Sequence, residues 1–107
     1  MTATSGYREA APTRDDIDAM LGPLLIEFGT DWCGHCQAAQ PAIASALAGR
    51  DPLEHLKIED GKGRPLGRSF SVKLWPTLVV MRDGVELARV VRPTDAAAVT
   101  EALRALD

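Results

Sequence analysis

Residues 24–41 read LLIEFGTDWCGHCQAAQP, and the succession of residue types in that stretch decides the architecture. Leu24 to Phe28 is a short, mostly apolar run preceded by Gly22-Pro23, the pattern of a buried strand entered from a turn. Past Asp31 and Trp32 the period changes. Ala39, Ile43, Ala46 and Leu47 fall on one helical stripe, so a helix is predicted from the cysteines to about Ala48, bent at Pro41 and ended by Gly49. Cys33 and Cys36 therefore sit where a buried strand turns into a helix. The unpaired N–H groups and the dipole of a helix start favour an anion, so Cys33 is predicted to be the thiolate that attacks first in disulfide exchange. Cys36, one turn along, is expected to lie deeper and to displace the mixed disulfide. Between them stand Gly34 and His35; the imidazole adds partial positive charge beside both sulfurs, favouring the thiolate and the reduced form.

Outward from this stretch, Thr13-Arg-Asp-Asp16 has the shape of a helix start, and Ile17, Met20 and Leu21 recur at helical spacing. Leu53 to Ile58 reads as a strand, and Gly61 to Gly67 as a loop or short irregular helix. Thr77 to Met81 is a β-rich run after Pro76; Arg82-Asp-Gly84 is a hairpin signal, and Val85 to Val91 the returning strand. Thr94 is placed to cap a last helix with Val99, Ala102, Leu103 and Leu106 on one face. The order α β α β (short helix) β β α predicts an α/β sandwich: a central sheet with helices on both faces. Residues 1–12 are expected to form a flexible arm, and residues 13–107 a single domain.

The chain of 107 residues, 46 % of them hydrophobic, suffices for one core and not for two. Twelve Lys and Arg against fifteen Asp and Glu leave a net charge of −3, without the basic footprint of a nucleic-acid domain. No apolar run is long enough to span a membrane, and the first residues lack the basic start and apolar stretch of a secretory signal, so a cytoplasmic location is expected. Only two cysteines occur, which excludes a disulfide-stapled scaffold. A zinc site needs four ligands, and only His35 and His55 remain to complete one, so the pair is read as redox-active and free of metal; His55 itself is read as an ordinary strand or surface residue. The glycines of residues 61–67, with Lys62, Arg64 and Arg68, lack the pattern of a phosphate-binding loop.

Phe28 to Pro41 resembles the active-site segment of the thioredoxin superfamily, and the CGHC tetrad resembles the form used by protein disulfide isomerase domains. Pro41 stands where family members bend this helix, Trp75-Pro76-Thr77 resembles their cis-proline loop, and Arg82-Asp-Gly84 the hairpin after it. The resemblance implies a thioredoxin fold, a central mixed sheet sandwiched by helices. It also implies a thiol–disulfide oxidoreductase that acts on protein disulfides without a cofactor, is recycled by a reductase or oxidant, and is monomeric. Glu27 takes the position of the family's buried carboxylate, where an apolar surround would raise its pKa and suit it to move protons at Cys36. Pro76, if cis, would face the dithiol, and the backbone of Trp75 would pair with an extended substrate peptide. Trp32 is read as core packing, a hydrophobic lip beside the thiols, or both. Trp75 is bulkier than the small or β-branched residue usual before that proline, and Arg92 replaces a glycine common among relatives, so the substrate groove is expected to be reshaped and more charged. A second reading, a thioredoxin-fold protein-binding module with a dispensable dithiol, predicts that Cys33→Ser leaves the biological activity intact.

Overall fold

Leu24 to Gly29 are buried without interruption, because the strand they form lies between two helical layers and both of its faces are covered. The computed structural model of the protein describes residues 6–107. Its elements run α1 (Arg14–Asp18), β1 (Pro23–Gly29), α2 (Gly34–Ala48), β2 (Glu54–Glu59), α3 (Pro65–Ser69), β3 (Thr77–Arg82), β4 (Val85–Val91) and α4 (Ala96–Leu103), closing on a 3-10 turn at Arg104–Leu106. The sheet order is β2-β1-β3-β4. β2 is parallel to β1 across the α2 crossover, while β3 and β4 are antiparallel. The expected mixed sheet with helices on both faces is thus present.

The pleat of β1 divides the core. Leu24, Ile26 and Phe28 pack with Val79 and Met81 against Ile17, Leu66 and Phe70 on the α1/α3 side. Leu25 joins Leu78 and Val80 against Ala39 and Ile43 of α2 and Val99 and Leu103 of α4. Glu27 follows Leu25 at a period of two, so it points into the α2 side as an acid within a wholly buried strand.

Local signals explain the ends. Thr13 and Asp16 make the reciprocal capping box read from the sequence, although α1 stops at Asp18 and leaves Leu21 86 % exposed rather than on an apolar stripe. The β3–β4 hairpin turns on Asp83 and Gly84, both at positive φ (52° and 79°), the backbone that a two-residue hairpin of this twist requires. The last helix is capped by Asp95, not by the expected Thr94: the Asp95 side chain accepts from the Ala98 N–H, and a carboxylate there also meets the helix dipole.

The first five residues of the segment expected as a flexible arm lie outside the described structure. Beyond them, Tyr7 and Arg8 are held against the domain. The Arg8 N–H donates to the Lys57 carbonyl at 2.9 Å, Glu59 N–H donates back to the Arg8 carbonyl at 2.8 Å, and Tyr7 is 7 % exposed. An unpaired β2 edge supplies the backbone partners and the space beneath the dithiol supplies the burial. Among the described residues no helix is long and apolar enough to cross a membrane.

Candidate active site

Cys33 is the N-cap of α2, with extended backbone, and its sulfur accepts the Cys36 N–H at 3.4 Å. Both cysteines are free and buried, Cys33 to 8 % exposure and Cys36 to 1 %. Their acidities are driven apart. Burial opposes ionisation of Cys33, but the Cys36 thiol, the N–H groups of Cys36 and His35, and the charge of Arg92 outweigh it and hold the Cys33 pKa below the ordinary thiol value. Cys36 is pushed up to about 11, chiefly by burial, with the neighbouring Cys33 sulfur adding to it. The surroundings therefore favour the thiolate at Cys33 and the thiol at Cys36. The His35 side chain is exposed, and what reaches Cys33 from this residue is its backbone N–H. A side chain at Gly34 would meet only open space.

Beneath Cys36 lies a polar cluster inside the apolar layer. Glu27, wholly buried, accepts hydrogen bonds from the Tyr7 hydroxyl and from Gln40 Nε2 at 2.8 Å, and its other oxygen lies 2.9 Å from His55 Nε2. Lys57 Nζ donates to Gln40 Oε1 at 3.0 Å. Burial pushes the Glu27 carboxyl up, as expected from its surroundings. The bonds from His55, Gln40 and Tyr7 and the Lys57 charge reverse that, and its pKa is lowered. The expectation of a raised pKa is thus overturned: the site is buried but not apolar. His55, read as an ordinary residue, is likewise corrected; it is the partner of the buried acid.

Gly29 is where this cluster meets the dithiol. A Cβ on Gly29 would lie 2.6 Å from Cys36 Sγ and 2.9 Å from Tyr7 Oη, so the absence of a side chain is what lets thiol and phenol close over the strand.

Trp75 packs against Tyr7, Cys33 and Cys36. Its indole N–H donates to Asp60 Oδ2 at 2.9 Å, and its ring meets that of Trp32 edge-on at 5.8 Å. Trp32 is 74 % exposed, so the expected core packing is absent, and the contact its ring makes is with Trp75. The Trp75–Pro76 bond is cis, and Pro76 is buried. Arg92 donates from Nε to the Trp75 carbonyl at 2.8 Å and from its N–H to the Pro76 carbonyl at 2.9 Å, clamping the loop that the sequence reading assigned to substrate.

Tyr7, Gln40 and Lys57 were not singled out from the sequence, and His55 was set aside there as an ordinary residue. For His55 and Lys57 a signal exists: they alternate with buried Leu56 and Ile58, which puts two polar side chains on the α2 face of β2. The parallel register then sets Lys57 directly opposite Glu27. For Tyr7 no local signal exists. Among the described residues no group of three or more His, Cys, Asp or Glu is gathered to hold a metal ion.

Comparison with known proteins gives a consistent picture. The family model described as Thioredoxin matches residues 10–105. A protein disulfide-isomerase of Hordeum vulgare is 34 % identical over 79 residues, which cover 65 % of this chain but only 15 % of that protein. A thioredoxin of Chlamydia trachomatis is 35 % identical over 71 residues, covering 65 % of this chain and 69 % of the relative. Among solved structures, reduced thioredoxin 2 from Pseudomonas aeruginosa PAO1 superposes with a TM-score of 0.87 at 57 % identity, covering 97 % of this chain and 96 % of that one.

Proposed function

Because the chain belongs to the thioredoxin family, we propose that it is a thiol–disulfide oxidoreductase working through Cys33 and Cys36. The observation that carries this reading is the placement of the pair: Cys33 caps α2 with its sulfur accepting the Cys36 N–H, and Cys36 lies buried one turn behind it, surroundings that favour the thiolate at the first and the thiol at the second. Cys33 attacks a substrate disulfide, forming a mixed disulfide and releasing one substrate sulfur as a thiolate that takes a proton from water. Cys36 then loses its proton and attacks Cys33 Sγ. The Cys33–Cys36 bond forms, the second substrate sulfur leaves, and the substrate has gained the two electrons that the dithiol has lost. Glu27 is assigned as the acceptor for the Cys36 proton on the family resemblance and on its place, a buried carboxylate in the cluster beneath the thiol, and not on a pKa matched to the thiol's.

Protein disulfides are the proposed substrates, met over Trp32, Trp75 and Pro76, with a separate reductase or oxidant recycling the dithiol. In a cytoplasmic setting the direction is reduction. A monomer is the proposed working form.

Trapping tests this. Cys36→Ser should accumulate disulfide-linked complexes through Cys33 that reductant releases, and Cys33→Ser should abolish both trapping and turnover of a model protein disulfide. Full biological activity in Cys33→Ser would overturn the redox reading in favour of a binding module.

A further inference from the structure

Accepting a proton from Cys36 leaves Glu27 neutral inside the protein, and the next turnover requires that proton to reach water. Glu27 is 0 % exposed and touches no solvent itself. Its two oxygens, however, have different neighbours. Oε2 accepts the Tyr7 hydroxyl, and Tyr7 packs beside Cys36, the phenol oxygen and the thiol sulfur lying 2.9 and 2.6 Å from where a Cβ on Gly29 would stand. Oε1 meets Nε2 of His55, whose side chain is 24 % exposed.

We propose that Tyr7 and His55 make Glu27 the middle of a proton path, Tyr7 joining it to the Cys36 sulfur and His55 joining it to solvent. The inference rests on the exchange reaction proposed above and adds two residues to it. As Cys36 attacks, its proton passes to Tyr7 Oη while the phenolic proton passes to Glu27 Oε2. Tyr7 ends unchanged, Cys36 is a thiolate and Glu27 a neutral acid. Tyr7 does not ionise on the way, because burial and the Glu27 charge hold its pKa far above the phenol range. The carboxyl proton then leaves through the imidazole, the side chain best suited to exchange protons with water near neutrality. Gln40, bonded to Glu27 Oε2, to the Cys36 carbonyl and to Lys57, fixes the geometry without exchanging protons. The titratable groups facing Glu27 are Tyr7 from the N-terminal segment, Cys36 from α2, and His55 and Lys57 from β2. β3 sets apolar Leu78 opposite it.

The test uses single-turnover resolution of a mixed disulfide preformed on Cys33, followed against pH, together with steady-state turnover of a model protein disulfide, in the full chain, Tyr7→Phe, His55→Gln and His55→Ala. Tyr7→Phe should slow resolution by about 10- to 100-fold at neutral pH, the scale of a lost proton-transfer group, with the rate recovering as pH approaches the Cys36 pKa. His55→Gln preserves a hydrogen-bonding side chain but cannot pass a proton on, so it should leave single-turnover resolution as in the parent and slow steady-state turnover, which needs Glu27 deprotonated again. His55→Ala should be restored by added imidazole in proportion to its concentration. Alkylation of Cys33 should titrate as in the parent throughout, which a general loss of structure would not allow. A pH–rate profile of resolution in Tyr7→Phe, or a steady-state rate in His55→Gln, that superimposes on the parent would overturn the path while leaving the exchange reaction standing. A parent chain that never resolves the mixed disulfide would instead remove the exchange reaction itself.

Discussion

Arg92 holds φ at 51°, a left-handed backbone that a non-glycine residue adopts only where its surroundings secure it. Here two hydrogen bonds to the Trp75 and Pro76 carbonyls do so, and the guanidinium charge so placed helps to keep Cys33 ionised. Arg92→Gln keeps a donor and removes the charge. The midpoint of Cys33 alkylation against pH should then rise, by up to about one pH unit, toward the ordinary thiol value. An unmoved midpoint would mean that the helix N-terminus alone sets the thiolate. The same contrast between near and distant neighbours governs how much of the site was legible. Cys33, Cys36, Trp32 and Pro76 announce themselves because the chemistry is written within one turn or one loop. Glu27 needed the family resemblance, and the direction of its pKa could not be read even then. Its partners come from positions 7, 40, 55 and 57, brought together only by the sheet register and the packed N-terminal segment. A buried acid's pKa is decided by those partners rather than by burial.

Elements were legible wherever period and punctuation agreed. The apolar run of β1, the Asp83-Gly84 turn and the stripe of α4 all carry their structure in the local sequence, and the strand-helix-strand order around α2 forces the parallel β1–β2 pair. The misses came where two local solutions compete. Thr94 and Asp95 are both good caps, and the choice falls to Asp95 because Pro93 is buried and fixes where the chain enters the helix. Asp95→Ala should therefore cost about 1 kcal/mol in chemical denaturation, the usual worth of a side-chain cap, while Thr94→Ala should cost less than half as much. Equal losses in the two variants would return the cap to Thr94. α4 packs on α2 through Val99, Ala102 and Leu103, so this loss reaches the dithiol only through global stability. Cys33 alkylation measured well below the denaturation midpoint should be unchanged in Asp95→Ala.

For the molecule as a whole, the split thiol acidities make stability and redox potential two readings of one proton balance. In the unfolded reduced chain both cysteines titrate near the ordinary value of 9.0; in the folded chain Cys33 lies below it and Cys36 at about 11. Between the folded Cys33 pKa and about 9 the unfolded state holds the extra proton, so stability of the reduced protein rises with pH. Between about 9 and about 11 the folded state keeps the Cys36 proton that the unfolded state has lost, and stability falls. The oxidised protein has neither thiol. Subtracting its stability curve from that of the reduced protein cancels Glu27, Tyr7 and the lysines to first order, and should leave a single maximum near the ordinary thiol pKa. The same balance sets the potential. Below the Cys33 pKa reduction takes up two protons with two electrons, a slope of about 59 mV per pH unit; above it one proton, about 30 mV, up to the Cys36 pKa. Redox titration in graded thiol buffers at successive pH values, read from Trp75 packed beside the sulfurs and the Trp32 ring set edge-on against it, should therefore break to the shallower slope below pH 9. A slope that stays near 59 mV through that pH would mean that neither thiol is ionised early, and the nucleophile assigned to Cys33 would have to be activated by the substrate instead.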